Sequence, residues 1–209
     1  MLFSNLKKSQ KNILTPEDFA EYRLANREIF IDNLTITLAN TIDSQIRVWN
    51  LMDEFLASQS REPIKIYINC TNGSLDIITT IIDAIKMSRT PVYTFNTGLV
   101  GSAALFVYLA GHKRYSYPTA IFNFTPEMLT PAWIEEVDEN ESSFYNKKDC
   151  FTKTYDELKR LVLEKTDIEE AQLNKHIKKD WWLTADDAFK ARFCNEICRK
   201  HFKVEREDR

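Results

Sequence analysis

Residues 98–104 read Gly-Leu-Val-Gly-Ser-Ala-Ala, and they join an extended run at 92–96 to an apolar helical run. A second stretch of the same kind, residues 64–74, reads Ile-Lys-Ile-Tyr-Ile-Asn-Cys-Thr-Asn-Gly-Ser. All four glycines of the chain lie between positions 73 and 111, and glycine is favoured where the backbone turns sharply or approaches another group closely. Two helix starts of this kind offer free backbone N–H groups beside the hydroxyl of Ser102. Such groups are the parts of an acyl-transfer site.

The composition favours a single domain over residues 1–209. The chain has a mass of 24.5 kDa and is 44% hydrophobic, which is enough to bury one core. A net charge of −3 and a pI of about 5.7 do not indicate a nucleic-acid partner. The longest apolar candidate, Ala103 to Ala110, is too short to span a membrane, and the N-terminus lacks the features of a secretory signal. The sequence therefore predicts a cytoplasmic protein with no membrane partner.

The four cysteines, Cys70, Cys150, Cys194 and Cys198, do not have the spacing of metal ligands. Cys194 and Cys198 are four residues apart, and we expect buried thiols near one another on a helical face rather than a metal or redox pair. No metal or cofactor is predicted.

Strand and helix signals alternate along the chain. The predicted helices cover 16–25, 42–57, the segment that Ser74 caps, 103–110 and about 143–165, and the predicted strands cover 28–31, 64–69, 92–96, 114–117 and 120–124. Residues 98–102 are expected to form a turn. Thr166-x-x-Glu169 is read as a capping box for one further helix and Thr184-x-x-Asp187 as the cap of another. The alternation predicts an α/β fold with a mostly parallel sheet.

Four segments have a recognisable order and spacing. They are residues 67–74 (Tyr-Ile-Asn-Cys-Thr-Asn-Gly-Ser), 97–104 (Thr-Gly-Leu-Val-Gly-Ser-Ala-Ala), 110–115 (Ala-Gly-His-Lys-Arg-Tyr) with Pro118, and 180–188 (Asp-Trp-Trp-Leu-Thr-Ala-Asp-Asp-Ala). Together they resemble ClpP, the proteolytic subunit of the ATP-dependent Clp protease. The first is similar to the family's Tyr-Ile-Asn-Ser-Pro-Gly-Gly-Ser turn, the second to its nucleophile segment, and the last to its Asp-x-Phe-Met-Ser-Ala-x-Glu-Ala. The likeness extends from about Asp18 to Ile197.

The resemblance implies a ClpP/crotonase-like fold of repeated β-β-α units with a helical handle region. Ser102 then corresponds to the catalytic serine and Asp180 to the triad aspartate. The N–H groups of Gly73 and Ala103 correspond to the oxyanion hole. Residues 1–17 form the N-terminal segment and residues 127–165 a divergent handle region.

The chain departs from the family at the triad histidine. Where the family has His-Gln-Pro, residues 120–126 read Ala-Ile-Phe-Asn-Phe-Thr-Pro. Alignment on the proline puts Phe124 at the histidine, and alignment without a gap puts Thr125 there. Neither side chain can take a proton from serine. We expect the Phe124 ring to fill the space between Ser102 and Asp180.

Two other departures concern the turn and the handle. Asn72 replaces the first glycine of the Gly-Gly turn, which we attribute to the tolerance of asparagine for left-handed backbone angles. No glycine follows Gly111, so the glycine-rich handle is missing, and an acidic, aromatic-containing insert at 133–145 stands in its place.

Other bases are unpromising by sequence. His112 occupies a turn where the family often has an unused histidine, His176 lies among lysines, and His201 belongs to the basic tail. A serine–lysine pair would need Lys113, the nearest lysine by sequence. The plainer interpretations are that Ser102 only caps a helix, that Asp180 is a solvated carboxylate, and that Trp181 and Trp182 anchor a core or interface.

Three functional hypotheses follow. We prefer a catalytically degenerate ClpP-type serine peptidase scaffold that assembles as a homo-oligomer or a mixed ring with a ClpP-like subunit, with an ATP-dependent unfoldase as a further partner. The second is an active Clp-type endopeptidase of peptide substrates with an unrecognised base. The third is a crotonase-like protein that handles acyl thioesters, although nothing in the chain resembles the crotonase acid/base glutamates.

Overall fold

The computed structural model describes residues 15–56, 61–125, 142–176 and 179–199. Within them the chain forms seven helices and seven strands. The first half comprises α1 (Pro16–Ala25), β1 (Glu28–Ile31), α2 (Ile36–Phe55), β2 (Ile64–Cys70), α3 (Leu75–Met87), β3 (Val92–Gly101) and α4 (Ala103–Ala110). The second comprises β4 (Lys113–Ser116), β5 (Ile121–Phe124), α5 (Ser142–Lys165), α6 (Glu170–His176), β6 (Trp181–Thr184), α7 (Ala185–Lys190) and β7 (Glu196–Ile197). The predicted α/β class is confirmed.

The strands form one sheet in the order β1-β2-β3-β4-β7, and the C-terminal part of β3 also pairs with β5, which pairs with β6. Every pairing is parallel except that of β5 with β6. β3 is thus shared: its first residues pair with β4 and its last with β5. The prediction of a mostly parallel sheet is confirmed. The C-terminal end of β3 lies directly before the start of α4.

The core lies on the face of the sheet that α2, α3 and α4 cover. Isoleucines of the first two strands pack there against Ile42 and Ile46 of α2 and against the isoleucines of α3. α4 is apolar all round and every one of its residues is buried, as expected of a helix enclosed by other elements. The start of α4 is therefore held rigidly by the core.

The opposite face of the sheet carries a row of aromatic side chains, which we call the aromatic ladder. Phe30, Tyr67, Phe95 and Tyr115 stand in one register row across β1 to β4. Their ring centroids are 4.9, 4.8 and 4.7 Å apart in that order. Cross-strand aromatic pairs of this kind stabilise a sheet and fix its register.

Several predicted boundaries differ from the structure. α2 begins at Ile36 rather than 42, because the Thr35 hydroxyl accepts a hydrogen bond from Leu38 N and caps the helix there. Residues 98–101 belong to β3 rather than to a turn, because Leu99, Val100 and Gly101 pair with β5. Neither β6 nor β7 was predicted, and the two residues of β7 leave no periodic pattern.

Three caps were predicted. Ser74 occupies the N-cap of α3, but its side chain makes no capping hydrogen bond, and the other two caps have different outcomes. The Thr184 hydroxyl accepts from Asp187 N at 3.2 Å and caps α7, as predicted. The capping box at Thr166 is wrong: this hydroxyl donates to Val162 O at 2.7 Å and closes the end of α5, while α6 begins at Glu170. The N-terminal segment up to residue 14 and residues 133–141 of the acidic insert lie outside the described residues.

Candidate active site

Gly73 and Ala103 lie against each other. Gly73 has φ +123°, and a Cβ added to it would stand 3.2 Å from the Ala103 Cβ and 3.1 Å from Leu34 Cδ1. A side chain is therefore disfavoured twice, by the left-handed backbone and by the close approach of α4. The structure brings the two predicted oxyanion donors together.

Both N–H groups are also available. Ala103 is the first residue of α4, where the N–H has no partner within the helix. Among the described residues, neither Gly73 N–H nor Ala103 N–H donates to a backbone carbonyl or to a side chain. One unpaired donor lies at the N-terminus of α4 and the other just before the N-cap of α3, and such donors suit a developing oxyanion.

Ser102 stands between β3 and α4 in a strained conformation. Its φ of 49° and ψ of −142° are unusual for a residue with a side chain and cost about 1–3 kcal/mol. Ser102 occupies the N-cap position, but its hydroxyl makes no capping hydrogen bond. A simple capping role for the hydroxyl is therefore wrong.

Phe124 lies one row beyond the last paired residues of β3 and β5. Gly101 pairs with Asn123, so continuing the register by one residue sets Ser102 level with Phe124. Phe124 in turn pairs with Trp181, which directly follows Asp180. The three strands thus align the serine position, Phe124 and the segment of Asp180 side by side. Continuing the antiparallel register sets Thr125 level with Asp180.

The Phe124 ring belongs to the core. It is 2% exposed and packs edge-to-face on Phe106 of α4, with centroids 6.3 Å apart. The Phe124 ring does not bridge the space between Ser102 and Asp180, contrary to the prediction. It turns under α4, because Phe124 shares a strand face with the buried Phe122.

Asp180 is exposed and precedes β6. The described part of the chain contains no hydrogen bond or ion pair to its carboxylate. Trp181 is partly buried against Phe193, with centroids 5.6 Å apart, whereas Trp182 is 57% exposed. Only Trp181 is therefore a core anchor within this chain.

The two described histidines do not contact Ser102. His112 Nδ1 accepts from Val92 N at 2.8 Å, at the first residue of β3. That strand of ten residues separates His112 from Ser102 by about 30 Å. Burial lowers the pKa of His112, consistent with an imidazole that stays neutral to accept this bond.

His176 lies closer to the candidate site but is engaged elsewhere. Its ring stacks on Trp181 at 3.9 Å with an interplanar angle of 12°. Desolvation, and to a smaller extent Lys175, lower its pKa. Lys113 places its ammonium 5.6 Å from the Tyr93 ring, near the start of β3, so a serine–lysine pair is excluded by distance. His201 lies outside the described residues.

Asn72 has a different role from the predicted one. It is absent from the residues with positive φ, so tolerance of left-handed angles does not explain it. Its carboxamide oxygen instead accepts from Leu34 N and from Cys70 Sγ, both at 2.9 Å, and its amide donates to Asn33 Oδ1. These contacts tie the turn before Gly73 to the loop before α2. Two of these hydrogen bonds join residues that are 38 or 39 positions apart in the chain, and no local sequence pattern predicts them.

The sequence also missed Asn123, since an asparagine inside an apolar run has no distinctive signature. It is 5% exposed and packs against Gly101, and its Nδ2 has no hydrogen-bond partner within the described part of the chain. Asn123 and Phe124 are successive residues of β5, so their side chains point to opposite faces of the sheet. The Asn123 amide therefore points away from the face on which the Phe124 side chain lies.

All four cysteines are free. Cys194 follows α7 and Cys198 follows β7, so the expected helical pairing of these two residues is wrong. Burial raises the pKa of Cys194 to about 11, which keeps it a thiol. Among the described residues no group of three His, Cys, Asp or Glu side chains could hold a metal ion.

A protein-family model matches most of the chain. The family model described as Clp protease matches residues 18–201. The chain belongs to the Clp protease family. Members similar to it include the ATP-dependent Clp protease proteolytic subunit 2 of Treponema denticola, 28% identical with 81% of this chain and 84% of that protein covered. Proteolytic subunit 1 of Chlamydia caviae is 29% identical, with 78% and 81% covered.

Two solved structures share the fold. A point mutant of ClpP1 from Listeria monocytogenes superposes with a TM-score of 0.70 at 24% identity, covering 88% of this chain and 97% of that one. A peptidase from Plasmodium falciparum gives a TM-score of 0.69 at 21% identity, covering 86% and 100%. No helix in the described ranges is long and apolar enough to cross a bilayer.

Proposed function

We propose that this member of the Clp protease family is a serine peptidase scaffold with a degenerate triad. In this proposal Ser102 and Asp180 keep the nucleophile and aspartate positions, and the histidine position is occupied by Phe124, or by Thr125 in the ungapped alignment. Gly73 and Ala103 keep the oxyanion hole. The observation that supports the proposal most directly is the register row of Ser102 and Phe124, with a buried phenylalanine where the family has its base.

The energetic consequence is large. In enzymes where serine and histidine act as a unit, loss of the base lowers kcat by about 10⁶. An oxyanion hole and binding alone can leave about 10³–10⁴ over the uncatalysed reaction. We therefore expect peptide binding with negligible turnover.

Assembly is the second part of the proposal. α2 and its C-cap residue expose an apolar stripe on the side away from the core, at Val48, Leu51, Met52, Phe55 and Leu56. Phe55 is 86% and Leu56 70% exposed, more than a solitary subunit would favour. An open groove of about 510 Å³ between α1 and α2, bordered by Leu24, Val48 and Trp49, adjoins the stripe.

The outer edge of the aromatic ladder, on the face of the sheet opposite the core, is a second exposed apolar site: Phe30 is 43% exposed, whereas Tyr67 and Phe95 are each 8% exposed. Two different surfaces that pair head to tail generate a closed ring when the rotation between subunits closes. This supports a homo-oligomer, or a mixed ring with a ClpP-like subunit, in which the α2 stripe of one copy meets the ladder of the next. An ATP-dependent unfoldase would complete such a complex.

The alternative of an active endopeptidase with an unrecognised base has one observation in its favour. Ser102 retains its strained backbone, and strain of this kind is concentrated at functional sites. No contact among the residues that the structure describes favours the crotonase-like alternative.

Labelling with a fluorophosphonate probe tests the proposal, because the reaction requires a serine activated by a base. We expect wild-type protein to label no more than Ser102→Ala, as measured by in-gel fluorescence and intact mass. Robust labelling of Ser102 that disappears in Ser102→Ala would instead establish an active peptidase.

A further inference from the structure

Asn72 and Gly73 form the only Asn-Gly pair in the sequence. In such a pair the main-chain nitrogen of glycine can attack the asparagine side-chain carbonyl carbon, because five-membered ring closure is favourable and glycine has no side chain to obstruct it. The pair lies between β2 and α3, with Asn72 exposed and Gly73 partly exposed. Water and hydroxide therefore reach the reacting atoms.

The attacking nitrogen is not engaged elsewhere. Gly73 N–H makes no hydrogen bond to any residue that the structure describes. Gly73 also lies outside every helix and strand, so its peptide plane is not fixed by a ladder of backbone bonds. Chemically, the pair is competent for cyclisation.

The Asn72 carboxamide, in contrast, is held by three partners, which we call the clasp: Asn33, Leu34 and Cys70. Leu34 N–H and Cys70 Sγ–H both donate to Asn72 Oδ1 at 2.9 Å, and Asn72 Nδ2 donates to Asn33 Oδ1. Cyclisation requires Asn72 Cγ to bond to Gly73 N. The three contacts oppose any rotation of the carboxamide that this approach needs.

We propose that Asn72-Gly73 is a latent deamidation site, and that the clasp controls it by holding the carboxamide away from Gly73 N. When the loop of Asn33 and Leu34 moves away, Gly73 N gives its proton to solvent hydroxide and bonds to Asn72 Cγ. The Cγ–Nδ2 bond then breaks, ammonia leaves with a proton from water, and a succinimide remains. Water opens the ring at either carbonyl carbon to give aspartate or isoaspartate, so the net reaction is exchange of NH₃ for H₂O without any redox change.

The products would alter the turn that presents Gly73. Aspartate at position 72 replaces the donor to Asn33 Oδ1 by a second acceptor, and the two oxygens repel each other. Isoaspartate also adds a methylene to the main chain one residue before Gly73, which shifts Gly73 from its contact with Ala103. Modification at this position therefore separates the two N–H groups, whether or not the site is catalytic.

The test compares rates in mildly alkaline buffer by peptide mapping, following the mass change of NH₂ to OH at residue 72 and the isoaspartate product. We expect wild-type protein to convert more slowly when folded than when unfolded in urea. Asn33→Ala should convert about two- to tenfold faster than wild type while folded, the range for losing one hydrogen bond from a local opening equilibrium. Asn72→Gln, which does not close a five-membered ring, is the matched control and should show no conversion.

Three results would each overturn the proposal. Equal rates in folded and unfolded wild-type protein would mean that the clasp has no effect, and this comparison needs no variant to fold. An unchanged rate in folded Asn33→Ala, or no conversion in urea, would do the same. Asn195, whose side chain accepts from Arg114 N and which precedes Glu196, is an internal reference that should remain unmodified.

Discussion

The degenerate-triad proposal depends most on Phe124. The side chain is buried against Phe106 under α4, so a histidine placed there would be held in its neutral form and would have to turn out of the core to accept a proton from Ser102. Thr125 is partly buried and stands level with Asp180 in the continued register. Restoring a base at one of these positions is the direct test of what the site lacks.

We expect Phe124→His or Thr125→His to raise hydrolysis of a fluorogenic peptide by about 10²–10⁴ over wild type, the usual contribution of general acid–base catalysis. Phe124→His should also lower the free energy of unfolding by about 2–4 kcal/mol, because it replaces core packing with a polar ring. The gain must disappear when Ser102→Ala is added. Two folded variants without any gain would show that more than the base is missing.

At the scale of single elements, α2 is connected to its neighbours through a buried charge. Asp53 is 3% exposed and accepts from both terminal nitrogens of Arg27, at 2.5 and 2.8 Å, and from Thr90 Oγ1 at 2.7 Å. These hydrogen bonds hold the pKa of Asp53 below its ordinary value, and the bond from Arg27 has the largest effect. They join α2 to the turn before β1 and to the segment before β3.

Asp53→Asn should lower the free energy of unfolding by about 3–5 kcal/mol at neutral pH, because it leaves Arg27 without its charged partner. The stabilising contribution of Asp53 is complete above the unfolded carboxyl pKa of about 3.9 and is lost as the pH falls through the lower folded value. Urea unfolding across an acid series measures both effects. Asp43→Asn, which removes an exposed pair with Arg47 on the same helix, should leave stability nearly unchanged.

The helix caps provide a matched pair of variants. Thr184 caps α7 through its hydroxyl, whereas Ser74 occupies the N-cap of α3 without a side-chain capping bond. Thr184→Ala should therefore cost about 1 kcal/mol and Ser74→Ala close to nothing, as read from thermal unfolding. Equal losses in the two variants would contradict the capping geometry.

At the scale of the whole molecule, the stripe on α2 and the aromatic ladder indicate assembly. Phe55→Lys should shift the protein toward monomer at micromolar concentration in light scattering, because it places a charge in the proposed contact. Glu54→Lys introduces the same residue on an adjacent side of α2 outside the stripe, and should leave the oligomer intact. Wild-type protein that is monomeric under these conditions would contradict the assembly proposal.

The sequence by itself determined the α/β class and most helices and strands, because apolar periodicity and glycine turns are local signals. Ser102, Gly73 and Asp180 are site residues that the family resemblance predicts. Only the tertiary structure decided the relations between distant residues: the contact of Gly73 with Ala103, the row of Ser102 beside Phe124, and the clasp on Asn72. The tertiary structure also excludes His112 and Lys113 as bases for Ser102, since both lie at the start of β3 and Ser102 follows its end. The start of α2, the length of β3 and the bond made by Thr166 differed from prediction because strand pairing and capping are settled by partners elsewhere in the chain. Such pairings depend on which surfaces meet in the folded core, and a single sequence does not contain that information in local form.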